Sequence, residues 1–207
     1  MRCTLKHENV LRRSGLRWIA GIDEAGRGPL AGPVVAAAVI LPQGYRHPLI
    51  DDSKKLTPEQ RDEAHAALTA RADVCWAVAV VEHAEIDRVN ILRASHEAMR
   101  RAVHALATRP EHALIDGLPV RPFPVPHTAI VRGDGLCKSI AAASILAKVA
   151  RDRIMIRLDA EYPGYGFARH KGYATGLHIE RLKLHGPCPI HRKTFLPVAR
   201  QLPGLAS

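Results

Sequence analysis

The chain has 207 residues, of which 47% are hydrophobic and 24% are charged. This composition suits one globular domain and argues against disorder. The longest apolar stretch, residues 34–41, is far shorter than the roughly 18 residues that cross a bilayer, so no membrane span is expected. The four cysteines form no C-x-x-C pair and no apolar leader opens the chain, which favours a cytoplasmic protein without a zinc site or disulfide framework.

Positive charge is concentrated in the C-terminal part of the chain. Of 30 basic and 20 acidic residues, 14 and 5 respectively fall within residues 118–207, whereas the preceding part is nearly balanced. Such an excess favours a polyanionic partner, with nucleic acid ahead of a membrane because no basic amphipathic helix stands out. A solvated basic surface would give the same count, so charge alone leaves both interpretations open.

The predicted elements begin with a loosely attached lead-in over residues 1–17, ahead of a single domain over residues 18–207. Strands are predicted at residues 17–22, 33–41, 74–81, 113–117 and 128–131. One helix is predicted to begin at Pro58 with Thr57 as its N-cap, and others cover residues 86–108, 138–161 and 176–185. This order predicts an α/β fold with a mixed sheet covered by helices, and a small helical C-terminal part from about residue 162.

Acidic residues follow three of the predicted strands. Asp23 and Glu24 come after the first strand, Asp116 after the fourth, and Asp134 after the fifth with two residues between. Both neighbours Asp23 and Glu24 can serve one site only if the strand ends there, because successive side chains on a strand point to opposite faces. If these strands are adjacent, four carboxylates converge, and their repulsion requires protons or cations. Carboxylate oxygens without nearby cysteine favour Mg²⁺ or Mn²⁺ over zinc.

Two polar segments near these carboxylates are suited to binding a nucleic-acid backbone. Glycines in the turn Gly26-Arg27-Gly28 let exposed N–H groups approach ribose or phosphate oxygens. The loop around Lys54 offers basic groups for phosphate contact. Each segment alone is equally typical of an ordinary turn or a solvated loop.

Several longer motifs resemble bacterial ribonuclease HII (type 2 ribonuclease H), in the order found in that family. They are GIDEAGRGPLAGPVV from residue 21, DSKKL from 52, IDG from 115, GD from 133, AAASILAKV from 141, HKGYAT from 170 and HRKTF from 191. The resemblance implies an RNase H-like fold with a five-stranded mixed sheet. It also implies that the family's four metal-site carboxylates fall on Asp23, Glu24, Asp116 and Asp134.

The resemblance further assigns substrate contacts. It implies that Gly26, Arg27 and Gly28 read the ribonucleotide, that Tyr173 packs on a neighbouring sugar, and that Lys54 contacts a phosphate. The basic C-terminal half is expected to hold further phosphates through Lys148, Lys171, Arg192 and Lys193. The histidines of this half are expected at the surface or near phosphate rather than at a metal: His170, His178, His185 and His191.

The implied activity is an endoribonuclease for the RNA strand of RNA/DNA hybrids. It would also cut on the 5′ side of single ribonucleotides in duplex DNA, with two divalent ions, Mg²⁺ or Mn²⁺, leaving 5′-phosphate and 3′-hydroxyl ends. The expected partner is nucleic acid, not a membrane, and the chain is expected to act as a monomer. Two alternatives stay open: another two-metal nuclease of the same fold, such as a resolvase, and a non-catalytic nucleic-acid-binding protein.

Overall fold

A computed structural model describes residues 3–51, 53 and 55–202. Its centre is a five-stranded sheet in the order β3-β2-β1-β4-β5. The strands are β1 (Ile19–Ala25), β2 (Val34–Ile40), β3 (Cys75–Val81), β4 (His112–Asp116) and β5 (His127–Ile130). β1, β2 and β3 pair antiparallel, whereas β4 pairs parallel with both β1 and β5. The predicted mixed sheet is therefore confirmed.

Eight helices surround the sheet within the described residues. They are α1 (Lys6–Arg13), α2 (Pro58–Thr69), α3 (His83–Val89), α4 (Ile91–His104), α5 (Lys138–Glu161), α6 (Phe167–His170), α7 (Gly176–His185) and α8 (Leu196–Ala199). Thr57 caps α2 as predicted, because its hydroxyl accepts from the Gln60 N–H at 3.3 Å. In the described part of the chain, none of the helices has the length and hydropathy that spanning a membrane requires.

The helices bury both faces of the sheet. Alternate residues of the apolar strand β2 point to opposite sides, so Ala36 and Ala38 pack with α4 while Ala37 and Val39 pack with α5. α5 approaches β1 so closely that a Cβ added at Gly21 would lie 2.0 Å from the Ser139 carbonyl carbon. A glycine at this point of β1 is therefore required by packing.

The N-terminal segment is not the loosely attached lead-in that the sequence predicts. It contains α1, and the Glu8 side chain of that helix is buried. Glu8 Oε1 accepts from the Ser139 N–H at 2.8 Å and from the Cys137 thiol at 3.1 Å. α1 thus supplies an acceptor for an N–H group in the first turn of α5, where such groups lack intrahelical partners.

The helix predicted over residues 86–108 is also wrong in detail. It is divided into α3 and α4 by Asn90, whose φ of 71° is left-handed. Asn90 Oδ1 accepts from the Arg93 N–H at 3.1 Å and so caps α4. Asparagine is a preferred N-cap residue, and this capping bond accounts for the break inside a continuous helical pattern.

Candidate active site

Three of the predicted carboxylates lie where β1 and β4 separate. The parallel pairing of these strands ends at Ile22 and Ile115, and Asp23, Glu24 and Asp116 follow directly. β1 does not end at Asp23 as predicted, because its pairing with β2 continues to Ala25. The side chains nevertheless share an environment, since the charge of Asp116 acts on both Asp23 and Glu24.

Burial and like charges make this group electrostatically costly. Burial, and then the charges of Glu24 and Asp116, raise the pKa of Asp23 well above its usual value. Burial also raises the pKa of Glu24, although Arg27, whose Nη1 lies 3.3 Å from Glu24 Oε1, acts in the opposite direction. Protonation or a bound cation would relieve the repulsion.

The polar surroundings of Asp23 continue into the neighbouring loop. A hydrogen bond donated by the Ser144 hydroxyl favours the charged form of the Asp23 carboxylate. Ser144 Oγ also lies 2.8 Å from Ser53 Oγ, and both residues are buried. This contact joins the loop containing residue 53 to the carboxylate group through α5. Lys54, predicted to contact phosphate, lies outside the described residues.

The fourth carboxylate, Asp134, is adjacent to this group through the backbone. The Gly133 N–H donates to Asp116 Oδ1 at 2.6 Å, and Asp134 follows as the buried centre of a short 3₁₀ turn. Among the described His, Cys, Asp and Glu side chains, no three are gathered closely enough to form a metal-ligand set as they stand. The structure thus couples Asp23, Glu24 and Asp116 through their charges and places Asp134 next to Gly133, whose N–H binds Asp116, without bringing three of these carboxylates within ligand distance of one ion.

The glycine turn begins two residues after Glu24. Gly26 has a φ of 102°, and an added Cβ would lie 2.1 Å from Arg151 Nε, so only glycine fits. Gly28 is exposed, and a Cβ there would lie 3.8 Å from Tyr173 Cε1. Tyr173 is 42% exposed. The structure thus brings the predicted sugar-packing ring next to the turn that follows Glu24 in the chain.

Of the basic residues predicted to hold phosphates, Arg192 is buried and cannot do so. Its guanidinium donates to backbone carbonyls of the segment that contains the glycine turn. Lys148 is paired with Asp152 at 2.8 Å, and Lys171 donates to the Ala168 carbonyl. Lys193 is exposed and remains available for the predicted contact.

Three of the four histidines form a buried cluster, so their predicted surface or phosphate-contacting placement is wrong. The Cys188 N–H donates to His191 Nδ1 at 3.0 Å, which leaves the proton of His191 on Nε2. His191 Nε2 then donates to His178 Nε2 at 3.0 Å, and His178 Nδ1 donates to the Tyr173 carbonyl at 2.9 Å. His170 is also buried, stacked 4.4 Å from His178. This cluster fixes the backbone of Tyr173.

Comparison with known proteins identifies the family. The sequence model described as Ribonuclease HII matches residues 20–198. The chain belongs to the ribonuclease HII family. The ribonuclease HII of Geobacter metallireducens is 53% identical over 188 residues, which cover 91% of this chain and 88% of that protein. Membership makes this chain an endonuclease with ribonuclease H activity, as its motifs predict.

Solved structures show the same fold. The ribonuclease H2 of Pyrococcus horikoshii OT3 superposes with a TM-score of 0.73 at 29% identity, covering 88% of this chain and 96% of that chain. Bst-RNase HIII, solved in complex with Mn²⁺, superposes with a TM-score of 0.65 at 20% identity. The superposition covers 89% of this chain and 69% of that chain. The predicted RNase H-like architecture is therefore confirmed.

Proposed function

We propose that this ribonuclease HII hydrolyses the RNA strand of RNA/DNA hybrids and cuts on the 5′ side of single ribonucleotides in duplex DNA. The products would carry 5′-phosphate and 3′-hydroxyl ends. The observation that carries this proposal is the position of the glycine turn, residues 26–28, which starts two residues after Glu24 and faces Tyr173. A ribose bound at the turn would have its 5′ phosphate next to the carboxylates.

The donor chemistry of the site fits hard divalent cations. All the candidate ligands are carboxylates, Asp23, Glu24, Asp116 and Asp134, and oxygen donors suit Mg²⁺ or Mn²⁺. The raised pKa values of Asp23 and Glu24 support this proposal, because burial and like charges that disfavour the ionised carboxylates would be offset by a bound cation. Two such ions, bound with substrate, would lower the pKa of the attacking water and stabilise charge on the phosphate.

The protein groups around the carboxylates have separate tasks in this proposal. Arg27 restrains Glu24, and the Gly133 N–H restrains Asp116, so both carboxylates are held before substrate binds. N–H groups of the turn would bond the 2′-hydroxyl, the group that separates RNA from DNA. The Tyr173 ring would pack on the adjacent sugar, and Lys54 would contact a phosphate without reading sequence.

A substrate panel tests the proposal. End-labelled duplexes containing one ribonucleotide, no ribonucleotide or a full RNA strand are incubated with Mg²⁺, Mn²⁺ or EDTA. Cleavage should require metal and ribonucleotide, and Asp116→Asn should abolish it while duplex binding persists, because the basic residues are unchanged. Cleavage of the all-DNA duplex at an equal rate would indicate a different two-metal nuclease, and binding without metal-dependent cleavage would indicate a non-catalytic protein.

A further inference from the structure

Two arginines lie fully buried beneath the glycine turn, and the side-chain bonds found for them within the described residues go to backbone carbonyls. Arg192 Nη2 donates to the Gly26 carbonyl at 2.6 Å and to the Pro33 carbonyl at 3.1 Å. Its Nη1 donates to the Arg27 carbonyl at 2.9 Å, and its Nε donates to the Gly32 carbonyl at 3.0 Å. Arg151 donates to the carbonyls of Pro33 and Ala31.

The backbone of Arg192 is fixed as firmly as its side chain. Its N–H donates to the Leu30 carbonyl at 2.8 Å, and the preceding residue, His191, forms a β-bridge with Ala31. From the other side, Asp87 accepts from the N–H groups of Lys193 and Thr194 at 2.9 and 3.0 Å. The guanidinium therefore occupies one position relative to the turn.

Peptide geometry turns these contacts into an orientation of the turn. A trans peptide is planar, and its C=O and N–H point in opposite directions. The Gly26 carbonyl shares a peptide with the Arg27 N–H, and the Arg27 carbonyl shares one with the Gly28 N–H. Because both carbonyls point inward to Arg192, both N–H groups point outward. Within the part of the chain that the structure describes, neither N–H donates to another protein group.

We propose that Arg192 is a positioning residue that sets the orientation of the 26–28 turn and thereby the selectivity for a 2′-hydroxyl. This inference rests on the proposed function, in which the turn binds the ribose. Burial and the charge of Arg151 lower the pKa of Arg192 to about 9, so the guanidinium still carries its charge at neutral pH. That charge strengthens its bonds to the carbonyls and polarises the outward N–H groups.

Lysine cannot reproduce this arrangement. The guanidinium is a planar fork whose three nitrogens reach four carbonyls, whereas the lysine ammonium concentrates its donors on one atom. Arg192→Lys therefore keeps the buried charge and loses part of the geometry. Arg200→Lys, at an exposed arginine in the same C-terminal part, is the matched control.

The test compares the kcat/KM values of one enzyme preparation on two substrates, because the ratio of these values does not depend on the fraction of active enzyme. The kcat/KM values are measured on one duplex with a single ribonucleotide and on the same duplex with a 2′-fluoro sugar, which is a poor hydrogen-bond acceptor. Arg192→Lys should lower the hydroxyl-to-fluoro ratio by about fivefold or more, the loss expected for one well-placed hydrogen bond. Arg200→Lys should leave the ratio unchanged.

A merely structural role for Arg192 would lower both rates equally, and an unchanged ratio in folded Arg192→Lys would overturn the proposal. If that variant does not fold, Asp87→Ala replaces it, because it releases the 193–194 backbone without removing a buried charge. The ratio should then fall in the same direction, and an unchanged ratio would again overturn the proposal. A wild-type enzyme that cleaves the ribonucleotide and fluoro duplexes equally, or neither of them, would instead refute the proposed function on which this inference rests.

Discussion

The buried pair His178 and His191 makes the stability of the protein depend on pH. Burial lowers the pKa of each imidazole from 6.5 to about 4. Both are fully buried and neutral, and the bond between their Nε2 atoms needs one donor and one acceptor. Protonation of both rings would place two donors face to face. Between about pH 4 and pH 6.5, the folded state therefore binds fewer protons at these imidazoles than the unfolded state does.

The magnitude follows from linkage between proton binding and folding. A group whose pKa is depressed on folding contributes its full stability above the unfolded value of 6.5 and loses it as the pH falls toward the folded value. Lowering the pH from about 7.5 to about 5 should remove about 2 kcal/mol of unfolding free energy for each imidazole. Since the two rings contact each other, the two contributions are not independent.

Urea denaturation at these two pH values measures this effect. The comparison is between wild type and His178→Asn, whose amide can still donate to the Tyr173 carbonyl. Wild type should lose about 2 kcal/mol more than the variant on acidification. His104→Asn, at an exposed position, should match wild type. If wild type and His178→Asn lose the same stability, the depressed pKa values, and with them the neutral hydrogen-bond chain, would be refuted.

Three further predictions concern the site and its support. Asp23→Asn should raise the unfolding free energy in EDTA, because burial and like charges disfavour the ionised carboxylate; a lower value would contradict the repulsive cluster. Gly21→Ala should cost about 1–3 kcal/mol in urea denaturation, because its Cβ would meet the Ser139 backbone, whereas Gly135→Ala, with nothing within 4 Å, should change little. Tyr173→Ala should reduce cleavage at a single ribonucleotide more than duplex binding in filter-binding assays, and an equal loss would remove its sugar-packing role.

The sheet and the carboxylate group could be predicted because the sequence signals are local. Residues 34–40 form an apolar run rich in β-branched residues, and Asp23 and Asp116 each follow another short, mainly apolar run. Family motifs then fixed the order of the elements. The residue at which β1 ends could not be predicted from local signals, because β1 continues beyond Asp23 by pairing with β2, and that pairing depends on the partner strand.

The buried polar residues were not predictable from local patterns. Glu8, Arg192 and His178 belong to residue types that usually lie at the surface. Each forms its hydrogen bonds inside the protein with partners that are distant in sequence, so no local pattern reveals its burial. These partners are the Ser139 N–H, the carbonyls of residues 26–33, and His191. Composition therefore predicts Arg192 at a phosphate and the histidines at the surface or near phosphate, whereas in the fold Arg192 holds the turn and His178 holds the Tyr173 backbone.

The most direct test of the proposed activity is a map of the product ends on a DNA duplex that contains one ribonucleotide, with Mg²⁺ or Mn²⁺ present. If the ribose binds at the 26–28 turn as proposed, the scissile phosphate should lie on its 5′ side. The predicted result is one cut, which leaves a 3′-hydroxyl upstream and a 5′-phosphate on the ribonucleotide that begins the downstream fragment. Cutting only on the 3′ side of the ribonucleotide, or equal cutting of the all-DNA duplex, would contradict the account.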